Sequence, residues 1–295
     1  MPTPEIKLVV FDWAGTTIDF GCLAPAGAFV AAFAARGVMV SVAEARGPMG
    51  RAKKDHVRDL LRNPAVAARW KLATGGDWSE PDVEALYRDV TPRQIEAARS
   101  YSTLIPGVTD CVARLRSRGI KVAATTGYFR EAAAVVVEAA ARQGYVPDFA
   151  VCADDVPAGR PAPWMIFRCM EALDVYPPRA VVKVGDTVAD IEDGRNAGCW
   201  SVGVIDSGNE VGLSADEFAA LSEVERDARR EAVARRFADA GAHAALGTVA
   251  ELPALIDELN ARLARGERTT LPIMSRCRPS TGTSPPCAPP RFSRG

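Results

Sequence analysis

The chain has 295 residues, of which 48% are hydrophobic and 25% charged, with a formal net charge of −1. That balance belongs to a soluble globular protein with room for a large core and a smaller second domain. Near-neutral charge excludes nucleic acid and anionic lipid as main partners, and no apolar run approaches the ~20 residues of a membrane helix. The N-terminus lacks a basic flank with a signal-like apolar core, and the seven cysteines, at 22, 111, 152, 169, 199, 277 and 287, form no CxxC. A cytoplasmic protein with reduced thiols is expected, without a disulfide framework or a zinc site.

Leu8–Phe11, four apolar residues in a row, reads as a strand buried on both faces. Asp12 stands directly beyond it, at the edge where open parallel sheets bind ligands. A helix over about Ala24–Arg36 stops at Gly37, and Ser41 and Glu44 have the spacing of a capping box. Further helices are predicted from about Ala52 to Arg62, before Pro64, and after Pro81. Residues 22–99 therefore read as a helical cap domain inserted after the first strand. Strands at Ile120–Ala124, Phe149–Cys152, Ala180–Val184 and Trp200–Val204 follow, with helices near 130–142, 162–173 and 188–197 between or after them. Helices near 215–239 and 250–265 complete the pattern. This alternation predicts an α/β fold, a Rossmann-like parallel sheet covered on both faces, over residues 1–21 and 100–265. Residues 266–295, rich in Pro, Ser, Thr and Arg, are expected to be a disordered tail.

Polar residues fall at matching strand ends: Asp12 after the first, Thr125-Thr126-Gly127 after the second, and Gly185-Asp186 with Asp190 after the fourth. In a parallel sheet these ends share one edge. Carboxylates with a hydroxyl and exposed amides suit Mg²⁺ and phosphate, because Mg²⁺ takes oxygen ligands and bridges to phosphoryl oxygens. Thr126 and the Gly127 amide can hold a phosphoryl oxygen, leaving Asp12 to attack phosphorus and form an aspartyl-phosphate. Arg160, after the third strand, suits the offsetting cation.

This pattern resembles the haloacid dehalogenase superfamily over roughly residues 5–265. Asp12 corresponds to its nucleophile, Thr126 to its second motif, Arg160 to its basic third, and Asp186 and Asp190 to its acidic fourth; the insert matches one subgroup's cap. The resemblance implies that position 14 is commonly an acid, which protonates the leaving oxygen of a phosphate ester, while its backbone carbonyl serves the metal. Here it is Ala14. A substrate without an ester oxygen, such as a phosphonate, fits that loss. Breaking P–C leaves electrons on carbon and needs a sink one bond away, which a protonated imine between a lysine and an aldehyde supplies. Lys53, His56 and Val57 lie at i, i+3 and i+4 on one helical face of the cap. An ordinary lysine is only roughly 0.04% neutral at pH 7, so Lys53 must be desolvated or set near positive charge.

With these residues the segments Phe11–Thr17, Pro48-Met49-Gly50, Lys53, Asp55–Val57, Thr125–Tyr128, Asp155–Pro161 and Lys183–Thr187 resemble the phosphonoacetaldehyde hydrolase family. The resemblance implies a Lys53 Schiff base, phosphoryl transfer to Asp12, Mg²⁺ held by Asp12, the Ala14 carbonyl and Asp186 with Asp190 in support, and a homodimer. It also implies that Cys22, Met49, His56 and Tyr128 line the pocket. The competing readings are a phosphate-ester phosphatase or phosphomutase of the same superfamily, and a non-catalytic phosphoryl-binding protein.

Overall fold

The computed structural model describes residues 5–267 and Thr269. At its centre is a parallel sheet of β1 (Leu8–Phe11), β2 (Lys121–Thr126), β3 (Phe149–Cys152), β4 (Val181–Gly185), β5 (Trp200–Val204) and β6 (Ala244–Leu246), in the order β3-β2-β1-β4-β5-β6. Phe11 lies beside Ala124 on one side and Val184 on the other. The chain moves outward from β1 through β2 to β3, then returns to β4 and moves outward the other way. The switch between β1 and β4 opens a crevice beyond their carboxyl ends, the place where such sheets bind ligands. The strand alternation divides β1 between two cores: Val9 and Phe11 pack on one face, Leu8 and Val10 on the other.

Between β1 and β2 comes an all-helical cap: α1 (Leu23–Ala34), α2 (Val42–Arg46), α3 (Lys53–Arg62), α4 (Pro64–Thr74) and α5 (Glu80–Ser100). It has its own apolar core, with Phe29, Phe33, Leu60, Leu61, Trp70 and Leu86 fully or almost fully buried. The Ser41–Glu44 capping box closes as its spacing predicts: Ser41 Oγ accepts from the Glu44 N–H and the Glu44 carboxylate from the Ser41 N–H. The two chain crossings between cap and core run side by side, with Asp19 N bonded to Thr103 O at 3.1 Å and Ile105 N to Thr17 O at 2.9 Å. That pairing makes a two-stranded hinge.

The core helices are α6 (Val108–Arg116), α7 (Arg130–Arg142), α8 (Trp164–Ala172), α9 (Val188–Asn196), α10 (Ala215–Ala220), α11 (Glu223–Asp239) and α12 (Leu252–Ala264). Side chains of α6, α7 and α12 cover the Val9 face, and those of α8 the Leu8 face.

Several details differ from the sequence reading. Thr125 and Thr126 are the last residues of β2 rather than residues beyond it. The helix expected over 215–239 is two, because Leu221 is extended and Ser222 starts α11 with its own capping box to Glu225. α4 buries only Val66 and Trp70, too sparse a stripe to read as periodic, and is set by Asn63 capping and Pro64 in its first turn. α6 and the three-residue β6 were also not anticipated. The tail expected over 266–295 lies, apart from residues 266, 267 and 269, outside the described residues. Among the described residues no helix is long and apolar enough to cross a membrane.

Candidate active site

Asp12 directly follows β1, buried, its N–H bonded to Val184 O of β4 at 2.8 Å. Its Oδ1 accepts from the Arg160 guanidinium at 2.7 Å. Arg160 lies in the loop after β3 with its side chain wholly buried, and it also reaches Asp190 at 3.1 Å, Asp193 at 3.5 Å, and Thr125 through both carbonyl and hydroxyl. Lys183, within β4, adds a second buried cation, 2.8 Å from Asp190 and 3.2 Å from Thr125 Oγ1. Asp186, just past β4, accepts from Thr16 Oγ1 at 2.9 Å and from the Asn209 N–H at 2.8 Å. Asp190, on the first turn of α9, accepts from the helix-capping Thr187 hydroxyl at 2.6 Å.

Asp12, Asp186 and Asp190 each offer an oxygen within 4.8 Å of the others. Burial pushes the Asp12 carboxyl up against the pull of Arg160, and burial with the neighbouring Asp12 and Asp190 pushes Asp186 well up. Burial would raise Asp190 too, but Arg160 and Lys183 together bring it below the usual range. Asp193, raised by burial to about 7, completes four buried carboxylates around two cations. With all four ionised the group is two charges short of neutrality, and a hard divalent cation between Asp12 and Asp186 answers both the charge and the all-oxygen donor set. Asp190, already held by Lys183, Arg160 and Thr187, supports that site rather than opening onto it.

The cap lowers Lys53, the first residue of α3, over this edge. Lys53 is 5% exposed, and its Nζ lies 4.9 Å from the centre of the Tyr128 ring and 5.9 Å from that of Phe29. Burial lowers its pKa to about 8; Cys22 and Asp12 oppose that shift and Arg160 adds to it. The positive end of the α3 dipole favours the neutral amine as well. Asp12, Asp190 and Asp193 pair with Arg160 or Lys183, and among the described residues none of these carboxylates forms an ion pair with Lys53.

Asp12, Ala14, Cys22, Met49, Lys53, Thr126, Gly127, Tyr128 and Arg160 line one cavity, joined by Pro25, Gly50 and Thr187. The cavity is small, about 20 Å³ in volume. The cap is shut, backbone against backbone. A Cβ on Gly127 would stand 2.4 Å from Arg51 O, and one on Gly50 would stand 2.3 Å from Thr187 Oγ1. Thr126 Oγ1 accepts from the Tyr128 N–H at 3.1 Å, which leaves the hydroxyl proton to donate into the cavity. Burial keeps the Cys22 thiol and the Tyr128 phenol neutral, both pushed well up.

His56 departs from its expected place: it is not among the cavity-lining residues. Its ring stacks on Phe29 at 3.8 Å and its Nε2 meets Ala45 O at 2.8 Å, so it lies in the cap interior. Burial and the Lys53 charge hold it well below the ordinary histidine range, hence neutral. Lys183, Asp193, Thr16 and Asn209 were missed. Lys183 had a readable signal, a lysine in the otherwise apolar run Ala180–Val184, since a charge in a central strand requires a partner.

A haloacid dehalogenase-like hydrolase family model matches residues 6–198. A phosphonoacetaldehyde hydrolase of Nitratidesulfovibrio vulgaris is 46% identical over 262 residues, 89% of this chain and 94% of that protein. One of Bacillus cereus is 47% identical over 255 residues, 86% of this chain and 97% of that protein. A crystal structure of a phosphonoacetaldehyde hydrolase-like protein from Oleispira antarctica superposes with a TM-score of 0.89 at 42% identity, covering 90% of this chain and 96% of that one. A putative beta-phosphoglucomutase from Bacteroides vulgatus, 16% identical with a TM-score of 0.63, shares the fold. With a carboxylate at its first strand's end, an inserted helical cap and 46–47% identity over 86–89% of its length, the chain belongs to the phosphonoacetaldehyde hydrolase family of the haloacid dehalogenase-like hydrolases.

Proposed function

We propose that the protein hydrolyses the P–C bond of phosphonoacetaldehyde to acetaldehyde and phosphate, using Lys53 as a Schiff-base amine and Asp12 as the phosphoryl acceptor. One observation carries this reading: a buried lysine, its pKa lowered to about 8, shares a small cavity with Asp12 while position 14 offers no acid. Two relatives named as phosphonoacetaldehyde hydrolases, each above 45% identity, support it.

The neutral Lys53 amine adds to the aldehyde carbon, water leaves and one proton is taken up from solvent, giving an iminium whose carbon is two atoms from phosphorus. Asp12 attacks phosphorus in line as the C–P electron pair moves into the iminium, forming an enamine on Lys53. Arg160 and the Thr126 hydroxyl hold the phosphoryl oxygens as charge builds on them. Protonation of the enamine carbon and hydrolysis of the resulting imine release acetaldehyde and restore the amine. Water then cleaves the aspartyl-phosphate. Mg²⁺, held by Asp12, the Ala14 carbonyl and Asp186, would screen the negative charges of nucleophile and phosphonate. An acid at position 14 has no leaving oxygen to protonate here, so alanine suffices. The shut cap keeps water from the iminium before phosphorus has been transferred. The family resemblance carries the proposal of a homodimer, and the scattered cysteines without a CxxC carry that of cytoplasmic work.

The test mixes the protein with phosphonoacetaldehyde and Mg²⁺ and assays acetaldehyde and phosphate, then adds borohydride with the substrate and maps the adduct. Equal release of both products and a reduced adduct on Lys53 are expected. No product, or turnover of sugar phosphates instead, would sink the reading.

A further inference from the structure

The cavity is too tight for a substrate to enter without the cap swinging on its hinge, so something must hold the closed state without locking it. Arg46, the last residue of α2, reaches from cap to core. Its guanidinium donates to Gly21 O at 2.8 Å, Asn209 Oδ1 at 3.1 Å and Gly212 O at 3.2 Å. Asn209 answers with a hydrogen bond from Nδ2 to Arg46 O at 3.3 Å, while its own N–H holds Asp186 Oδ2 at 2.8 Å. Arg46 O also accepts from the N–H of Met49, which lines the cavity, at 3.1 Å. One reciprocal pair therefore touches the hinge at Gly21, the acidic site at Asp186 and the loop that roofs the cavity. Gly212, at φ +68°, leaves the guanidinium its seat, for a Cβ there would stand 3.0 Å from Arg46 Cζ. Beside the latch a groove of about 690 Å³ runs between Gly47, Pro48 and Met49 of the cap and Val188 and Ala189 of the core. Met49 lines both groove and cavity, so the cap opens onto a space wide enough for a small phosphonate.

We infer that Arg46 and Asn209 form the latch of the cap and couple its closure to the orientation of Asp186. The contacts suit a reversible device. A guanidinium and carbonyls that separate are rehydrated, so opening exchanges protein hydrogen bonds for water ones at small net cost. Both are positioning residues; neither lines the cavity. The coupling to Asp186 rests on the metal reading above, whereas the latch does not.

The experiment compares wild type with Arg46→Met, Arg46→Lys, Asn209→Ala and the double variant Arg46→Met/Asn209→Ala. Methionine keeps the stem and drops the donors; lysine keeps the charge but cannot span three acceptors. Hydrogen exchange of the metal-free proteins should quicken about tenfold over 49–53 and 126–129, with β1 and β4 unchanged. Calorimetric binding of Mg²⁺ alone should weaken about tenfold, and KM should rise more than kcat falls. The double variant should be no worse than the worse single one, as for partners in one contact. Unchanged exchange in those segments overturns the latch, and wild-type Mg²⁺ affinity in the variants overturns the coupling. A wild-type protein that binds no Mg²⁺ overturns the coupling together with the metal reading, while the exchange rates still decide the latch.

Discussion

A lysine buried beside an active site should weaken the fold that holds it, and Lys53→Met measures by how much. In the unfolded chain Lys53 titrates near 10.5; in the folded protein burial brings it to about 8. Between those values the unfolded state binds the extra proton, so stability rises with pH across that window and the full penalty applies below it. Two and a half pKa units amount to about 3 kcal/mol at pH 7. Methionine fills the lysine stem's volume and carries no charge, so Lys53→Met should raise stability at pH 7 by up to about 3 kcal/mol, roughly 6–10 °C in a protein of this size. The gain should vanish near pH 10.5. Urea and thermal unfolding of both proteins in chelator, at pH 7 and above 10, read the difference. The same shift predicts a kcat/KM profile in Mg²⁺ that climbs with one deprotonation and bends at or below about 8, because a bound cation would lower Lys53 further. A Lys53→Met protein no more stable than wild type at pH 7, or a profile still climbing past pH 10, would refute the reasoning.

Other consequences follow from the same geometry. Gly127→Ala, whose Cβ would stand 2.4 Å from Arg51 O, should prop the cap open, lowering kcat/KM on the order of 10²-fold while the circular dichroism stays unchanged; steady-state kinetics decide it. Arg160→Met strands Asp12 and Asp193, while Asp190 keeps Lys183, and should cost about 3–5 kcal/mol at pH 8 by urea unfolding. Unpaired carboxylates have raised pKa values in the folded state, so that deficit should shrink as pH falls toward 5. Removing Mg²⁺ with chelator should abolish turnover, and adding it at about a hundred times its dissociation constant should stabilise the wild type by about 2.7 kcal/mol but leave Asp186→Ala unmoved; differential scanning calorimetry reads both.

The sheet was legible because each buried strand is a short apolar run closed by turn residues, and parallel order follows from the helices between. The site was legible for the same reason: strand ends share an edge, so Asp12, Thr126 and Asp186 had to converge. β6 was not, since Ala244–Leu246 is three residues at a sheet edge, with only Leu246 buried. α4 and the break in α11 depend on caps at Asn63 and Ser222, signals as local as one side chain. His56 shows the limit of periodicity. Sharing a helical face with Lys53 placed it inward, but one turn along α3 separates the cavity wall from the cap interior, and stacking on Phe29 put it in the latter. Asn209 and Arg46 have no sequence signal at all, because their partners, backbone carbonyls, each other and the Asp186 carboxylate, lie far away in the chain.

The charges divide the labour between the two domains. The core gathers four carboxylates and neutralises two of them with Arg160 and Lys183, both fixed by hydrogen bonds to Thr125 at the end of β2. What remains is a place for a cation and a nucleophile, common to chemistry at any phosphoryl group. The cap contributes Lys53, buried in the same cavity as Asp12 and, on the proposed mechanism, the reacting amine. An acid at position 14 would join Cys22, Asp12 and Asp186 in raising the pKa of that amine and favour the charged form that cannot attack an aldehyde. On the proposed mechanism Ala14 and Lys53 therefore belong together, since the core leaves out the carboxylate that would hold the cap's amine charged.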